Sequence, residues 1–221
     1  MFKTIDWHIK DEIGFFQLNQ PPANSMSKQF YYEIRELADT ILNNLSVQAI
    51  IITGKGRHFS SGADIDDLLS FDNDNKQHSI DFYVANSQTF KRFYTAHIPV
   101  IAAIKGVCIG SAMELAMACH FRIATENIVM GFPEAGFNLM PGCGGSVYLS
   151  ELTNEKNTIE LLLTGRNLNS QDALDLGIVD EVVEKNELIE KAITFAKNIL
   201  HSYNPSHRDF YCKRFLGKRH G

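Results

Sequence analysis

The sequence predicts an α/β fold. Strand-like apolar runs alternate with helix-period segments along the chain. The 221 residues suffice for a full hydrophobic core without staples. The composition is globular, with 44% hydrophobic and 21% charged residues. That composition excludes disordered, collagen-like, coiled-coil and mucin-like classes. The net charge of -5 implies no basic face, so neither nucleic acid nor an anionic membrane is expected as a partner. Cys108, Cys119, Cys143 and Cys212 form no C-x-x-C pair, and no Cys/His cluster has zinc spacing. Reduced thiols and a cytoplasmic location are the expectation. The opening MFKTIDWHIKDEIG carries charges and lacks an apolar signal region, and no apolar run is long enough to span a membrane.

Residues 4–18 read as two strands around a polar turn, with Ile5, Trp7 and Ile9 alternating with polar neighbours. Ser27 is the expected N-cap of a helix to about residue 44, striped by Phe30, Ile34, Leu37 and Ile41. Residues 48–53 form a buried strand, and a short strand is expected near Phe59. Asp64 is positioned to cap a brief helix through Leu69. The polar tract 71–78 reads as a loop before a helix over about 79–97. Pro99 starts the strand VIAAI, residues 106–110 read as a turn, and 111–119 as an apolar helix. One extended stretch, IATENIVMGF, follows, and residues 131–145 read as a glycine-rich loop. Helices are expected at 155–163, 170–176 and 186–203. One core over residues 1–185 with a helical C-terminal region, 186–221, is the resulting organisation.

Glu114 is the main chemical anomaly: it sits in SAMELAMAC, which is otherwise apolar on every face. Burying an ionised carboxylate is costly, and burial lifts its pKa toward neutrality, where proton transfer is efficient. The structural alternative is a Glu paired to a buried Arg or capping backbone N–H groups. Glu134 follows Pro133 in the glycine-rich loop; a loop carboxylate is ordinarily solvated. Two glycine turns precede helices, Ser61-Gly62-Ala63-Asp64 and Gly110-Ser111-Ala112, and each could present a backbone N–H to an anion or oxyanion. Ordinary turn chemistry is the competing explanation. Neither is a phosphate loop, and Gly142-Cys143-Gly144-Gly145 is not a dinucleotide fingerprint. Cys143 lacks an evident base, and His58, His97 and His120 lack metal-site spacing.

Together these segments resemble the enoyl-CoA hydratase/isomerase (crotonase) family. The resemblance runs from Asn19-Gln20-Pro21-Pro22 to Gly177-Ile178-Val179. Phe59-Ser60-Ser61-Gly62-Ala63-Asp64-Ile65 is similar to the family's first oxyanion turn. Ile98-Pro99-Val100, Gly106, Gly110 and Glu114-Leu115-Ala116 are similar to its second turn and helix. Phe132-Pro133-Glu134 and Pro141-Gly142-Cys143-Gly144-Gly145 are similar to its second catalytic segment. Leu163-Thr164-Gly165-Arg166 and the stretch 173–179 match its following helices.

The resemblance implies a crotonase-like spiral of ββα units and a homo-oligomer, trimer or hexamer. It implies an oxyanion hole from the backbone N–H groups of Ala63 and Ser111, and catalysis by Glu114 and Glu134. Substrate contacts are implied at Ala23, Ser61, Gly62, Asp64, Ile65, Gly110, Pro133 and Gly142. The substrate would be an acyl-CoA or acyl-carrier-protein thioester, with no metal and no cofactor beyond the coenzyme A thioester itself. Hydration of an α,β-unsaturated thioester is the leading activity. Double-bond isomerisation, dehydration or decarboxylation on a carrier-linked chain, and non-catalytic thioester binding are the alternatives.

Several positions depart from the family pattern. Ser111-Ala112 replaces a glycine run, Asn138 replaces a glycine, and His120 replaces an aspartate near Arg122. The helical C-terminal region is expected to be shorter than the family's, which usually adds a final helix. The basic residues Lys213, Arg214, Lys218 and Arg219 are candidates for contact with substrate phosphates.

Overall fold

The computed structural model describes residues 2–69 and 76–202. Strands β1 (Ile5–Lys10) and β2 (Ile13–Leu18) form an antiparallel hairpin. Strands β3 (Ala49–Gly54), β4 (Val100–Ile104), β6 (Phe121–Thr125) and β8 (Glu181–Val183) add to it in parallel, in the order β1-β2-β3-β4-β6-β8. Helix α1 (Lys28–Ile41) crosses from β2 to β3; α2 (Ile65–Leu69) and α3 (Lys76–Tyr94) lead from β3 to β4. A second, two-stranded parallel sheet pairs β5 (Val107–Ile109) with β7 (Val129–Gly131). Helix α4 (Ser111–Met117) follows β5. After β7 come a 3-10 turn (Pro133–Phe137) and helices α5 (Gly145–Leu152), α6 (Glu155–Thr164), α7 (Ser170–Asp175) and α8 (Leu188–Ser202). Strands alternating with crossover helices around a mostly parallel sheet give the α/β class expected above.

A central parallel strand is covered on both faces and therefore reads as a continuous apolar run. All six residues of β3 are buried. The two-residue period sends Ile50 and Ile52 into the larger core, with Phe30, Ile34 and Leu37 of α1. Ala49 and Ile51 point the other way, to Leu188, Ala192 and Ala196 of α8. Those three recur every fourth residue, so they form a single helical stripe. Local signals are met where a side chain supplies them. Ser27 accepts from the Phe30 N–H, and Asp64 Oδ1 accepts from the N–H groups of Asp66 and Asp67.

Several boundaries differ from expectation. Residues 76–78 belong to α3, not to a loop. The turn predicted over 106–110 contains β5, and IATENIVMGF divides into β6 and β7, which lie in different sheets. The residues near Phe59 make only an isolated bridge, Ser60 with Cys108. Helix α5 and the three-residue strand β8 are additions. Arg122 pairs with Asp180 at 3.1 Å, so its charge is met without an aspartate at position 120; His120 Nδ1 instead accepts from the Val100 N–H. Asn138 has φ of 55°, a left-handed conformation that asparagine tolerates. No helix among the described residues is long and apolar enough to cross a membrane. The basic residues 213–219 lie outside the described residues.

Candidate active site

The two glycine turns are stitched together by backbone hydrogen bonds. Ser60 N–H donates to the Val107 carbonyl, and Ile109 N–H donates to the Ser60 carbonyl. Gly62 has φ of +84°, and a Cβ there would lie 2.6 Å from the Ile109 carbonyl oxygen and 3.4 Å from Ser111 N. Only glycine lets the turns approach this closely. Ala63 bridges Met26: Met26 N–H donates to the Gly62 carbonyl, and Asp64 N–H donates to Met26. That pairing uses the groups either side of Ala63 and leaves its own N–H without a partner among the described residues. Ser111 is the first residue of α4, where a helix N–H has no internal acceptor, and its N–H also lacks one here.

Asn24, which the sequence reading passed over, fixes the first turn. Its side-chain amide donates to the carbonyls of Lys55 and His58 and its Oδ1 accepts from the Gln20 N–H. Its own carbonyl accepts from the Ser60 hydroxyl, which in turn accepts from the Gly62 N–H. Ala23 accepts from the Ser61 N–H, so the predicted contact residues 23, 61 and 62 form one connected turn. Ile65 is exposed at the start of α2.

Glu114 is fully buried in α4. Its Oε1 accepts from the N–H groups of Cys143 at 2.7 Å and Gly145 at 2.8 Å. The carboxylate thus caps α5, whose Gly144 N-cap has no side chain to do so. Of the two structural alternatives, backbone capping is therefore present, but it uses only one oxygen. Oε2 is buried and has no hydrogen-bond partner among the described residues. Glu134 does not behave as a solvated loop carboxylate. It is half-buried in the 3-10 turn opened by Pro133, and its Oε2 is likewise buried without a partner. Gly110, at φ +57°, faces it: a Cβ there would meet Glu134 Oε1 at 2.9 Å. Buried polar atoms are normally hydrogen-bonded, so two partnerless carboxylate oxygens mark a place built to receive something.

Burial pushes the Glu114 carboxyl up to about 7; the N–H groups of Gly145 and Cys143 pull it down, and repulsion from Glu134 adds to the rise. Burial also raises Glu134. Burial, with Glu114 adding to it, raises the Cys143 thiol well above its ordinary range, so this cysteine is protonated and not a ready nucleophile. Gly142 lies against the Tyr83 ring. Among the described residues no group of three His, Cys, Asp or Glu side chains is placed to hold a metal.

The raised Glu114 value has a consequence for stability. The folded chain keeps a proton that the unfolded chain releases near the ordinary value of 4.5. The group therefore lowers stability progressively as pH climbs from 4.5 to about 7, with the full penalty above that. A Glu114→Gln side chain can still accept both N–H bonds but does not ionise. Its melting temperature relative to the parent should rise between about pH 5 and pH 8, equivalent to about 3 kcal/mol at most. A difference independent of pH, measured by calorimetry, would contradict the buried-acid assignment.

A family model described as Enoyl-CoA hydratase/isomerase matches residues 8–213. A Bacillus subtilis (strain 168) protein named "Probable enoyl-CoA hydratase" is 35% identical over 194 residues, covering 87% of this chain and 74% of that protein. The crystal structure of an enoyl-CoA hydratase from Bacillus anthracis superposes with a TM-score of 0.84 at 26% identity, covering 99% of this chain and 91% of that one. An enoyl-CoA hydratase structure from Mycobacterium smegmatis reaches a TM-score of 0.91 at 19% identity, over 99% of this chain and 84% of that one, a likeness of fold alone.

Proposed function

The chain belongs to the enoyl-CoA hydratase/isomerase family, and from that premise we propose that it adds water across the double bond of an α,β-unsaturated acyl thioester. The observation that carries this reading is the pair of buried, partnerless carboxylate oxygens of Glu114 and Glu134 beside two turns with unpartnered N–H groups. The thioester carbonyl lies against the N–H groups of Ala63 and Ser111. Negative charge builds on its oxygen as water attacks the β-carbon, and the two fixed donors lower that barrier. One such donor is worth roughly 3–4 kcal/mol.

Glu114, ionised, takes a proton from the attacking water through its free oxygen. Glu134, protonated, delivers a proton to the α-carbon. Burial suits both roles by keeping the carboxyl groups titrating closer to neutrality than an exposed carboxylate would. The thioester arm runs past Ala23, Asp64 and Ile65, and the acyl end toward Pro133 and Gly142. The reaction needs no metal or redox cofactor, because enolate stabilisation and proton transfer are both supplied by protein groups.

A second reading, double-bond isomerisation, draws on the capping duty of Glu114. With Oε1 committed to two N–H groups, Glu134 alone could shuttle the proton. Steady-state rates with crotonyl-CoA, a 3-enoyl-CoA and the corresponding carrier-linked thioesters separate the two. Hydration predicts turnover of the 2-enoyl thioester to a 3-hydroxyacyl product. Turnover of the 3-enoyl substrate alone would favour isomerisation.

The active form is proposed to be a cyclic homo-oligomer, a trimer or hexamer. Phe137, Leu139, Met140 and Val147, in the segment after Glu134, leave large apolar side chains exposed, as interfaces do. Light scattering at micromolar concentration should give three or six times the chain mass of 24.9 kDa. A monomer would contradict this proposal.

A further inference from the structure

A cavity of about 490 Å³ lies outside the site described above and is lined by none of its proposed catalytic, oxyanion or substrate-contact residues. It sits where four neighbouring parallel strands end. Arg57 and His58 follow β3, Lys105 follows β4, Thr125 closes β6, and Lys185 follows β8. Carboxyl ends of parallel strands are where open α/β sheets generally present ligand sites, because the crossover connections leave a crevice there. The volume falls in the range of small-molecule pockets.

The charge of this cavity is one-sided. Arg57, Lys105 and Lys185 line it, against one carboxylate residue, Glu126. Among the described residues none of the three cations makes an ion pair, although the protein pairs seven other cationic contacts. Lys105 is half-buried, and burial, then the neighbouring Lys185 ammonium, hold it below the usual lysine range. Two ammonium groups that repel across a cavity are relieved by an anion between them. His58 adds a directed donor. Its Nδ1 accepts from the Val107 N–H at 3.0 Å, so the neutral ring carries its proton on Nε2. Thr125 and Asn127 add polar lining of the kind that orients a ligand.

We propose that this cavity is a binding site for a phosphoryl anion, held by Lys105, Lys185 and Arg57. The chemistry is that of a small phosphate ester or diphosphate: compact, multiply charged and rich in acceptors. Such a group could come from a free phosphorylated metabolite or from the phosphates of a coenzyme A thioester. The proposal does not depend on the hydration reading, since Arg57, Lys105 and Lys185 take no part in it.

The test is calorimetric titration of the full-length protein with inorganic pyrophosphate at low ionic strength. One saturable site per chain is expected, weakening as salt is added. Lys105→Gln/Lys185→Gln should weaken it at least about tenfold, and Lys185→Gln alone several-fold, consistent with loss of charge-assisted bonds. Lys156→Gln, exposed on α6 away from the cavity, should leave it unchanged. Absence of saturable binding, or the same affinity in Lys185→Gln as in the parent, would overturn the proposal. Repeating the titration with saturating coenzyme A distinguishes the sources. Displacement assigns the site to the phosphates of coenzyme A; undiminished binding assigns it to a free phosphorylated compound. Circular dichroism of the variants keeps a folding defect apart from a lost site.

Discussion

Glu134→Gln is expected to lower enoyl-thioester hydration by about 10²–10⁴-fold while the protein stays folded. The side chain keeps its size, and the packing that depends on it, notably against Gly110, is preserved. What is lost is the proton that must reach the α-carbon. The loss should fall on kcat, with KM little changed, because the carboxyl is used in the transition state and not for holding the thioester. Stopped assays at several substrate concentrations separate the two constants. Near-parental kcat in this variant would remove Glu134 from the reaction.

Ser111→Pro is expected to cost about 10²–10³-fold in kcat, the usual loss for one oxyanion donor. The substitution spares the helix, although the proline ring carbon also takes the place of the amide hydrogen at the oxyanion position. Ser111 is the first residue of α4, a position where proline fits a helix and where the N–H is not needed for helical bonding. The preceding residue is Gly110, which tolerates the backbone restriction that proline imposes. Ser111→Ala is the control: it removes the hydroxyl but keeps the N–H. A large loss in the proline variant with a small one in the alanine variant assigns the effect to the backbone donor. Equal losses would assign it to the hydroxyl, which faces Glu114, Cys143 and Tyr31.

What the sequence revealed depended on how local the physics was. Helix α1 was legible because its cap, Ser27, and its apolar stripe lie within one segment. Strand β3 was legible because burial on both faces writes itself as an unbroken apolar run. Helix α5 was not, because its cap is a carboxylate 31 residues away, and its glycine-rich start has the composition of a loop. The division of IATENIVMGF between β6 and β7 is a matter of which sheet each half joins, and no local pattern encodes that.

The site divides in the same way. Glu114 stood out as a charge inside an apolar helix, an anomaly visible without any tertiary knowledge. Glu134 did not stand out by composition, since its burial comes from surroundings that fold around it. The turns at Ala63 and Ser111 were legible as candidate oxyanion turns, but locally nothing set them apart from ordinary glycine turns. Their meaning lies in N–H groups left unpaired, a tertiary property. Asn24 was also invisible in its role, although an asparagine two residues after Pro21-Pro22 is the kind of turn residue worth asking about.

The central claim is that water enters the product at the β-carbon. Conversion of crotonyl-CoA in heavy-oxygen water, followed by mass spectrometry of the thioester products, tests it most directly. Hydration predicts a 3-hydroxyacyl product carrying one heavy oxygen, formed at a rate that Glu134→Gln and Ser111→Pro each suppress. A shifted double bond with no oxygen gained, or an unchanged thioester under conditions where the protein is folded, would contradict it.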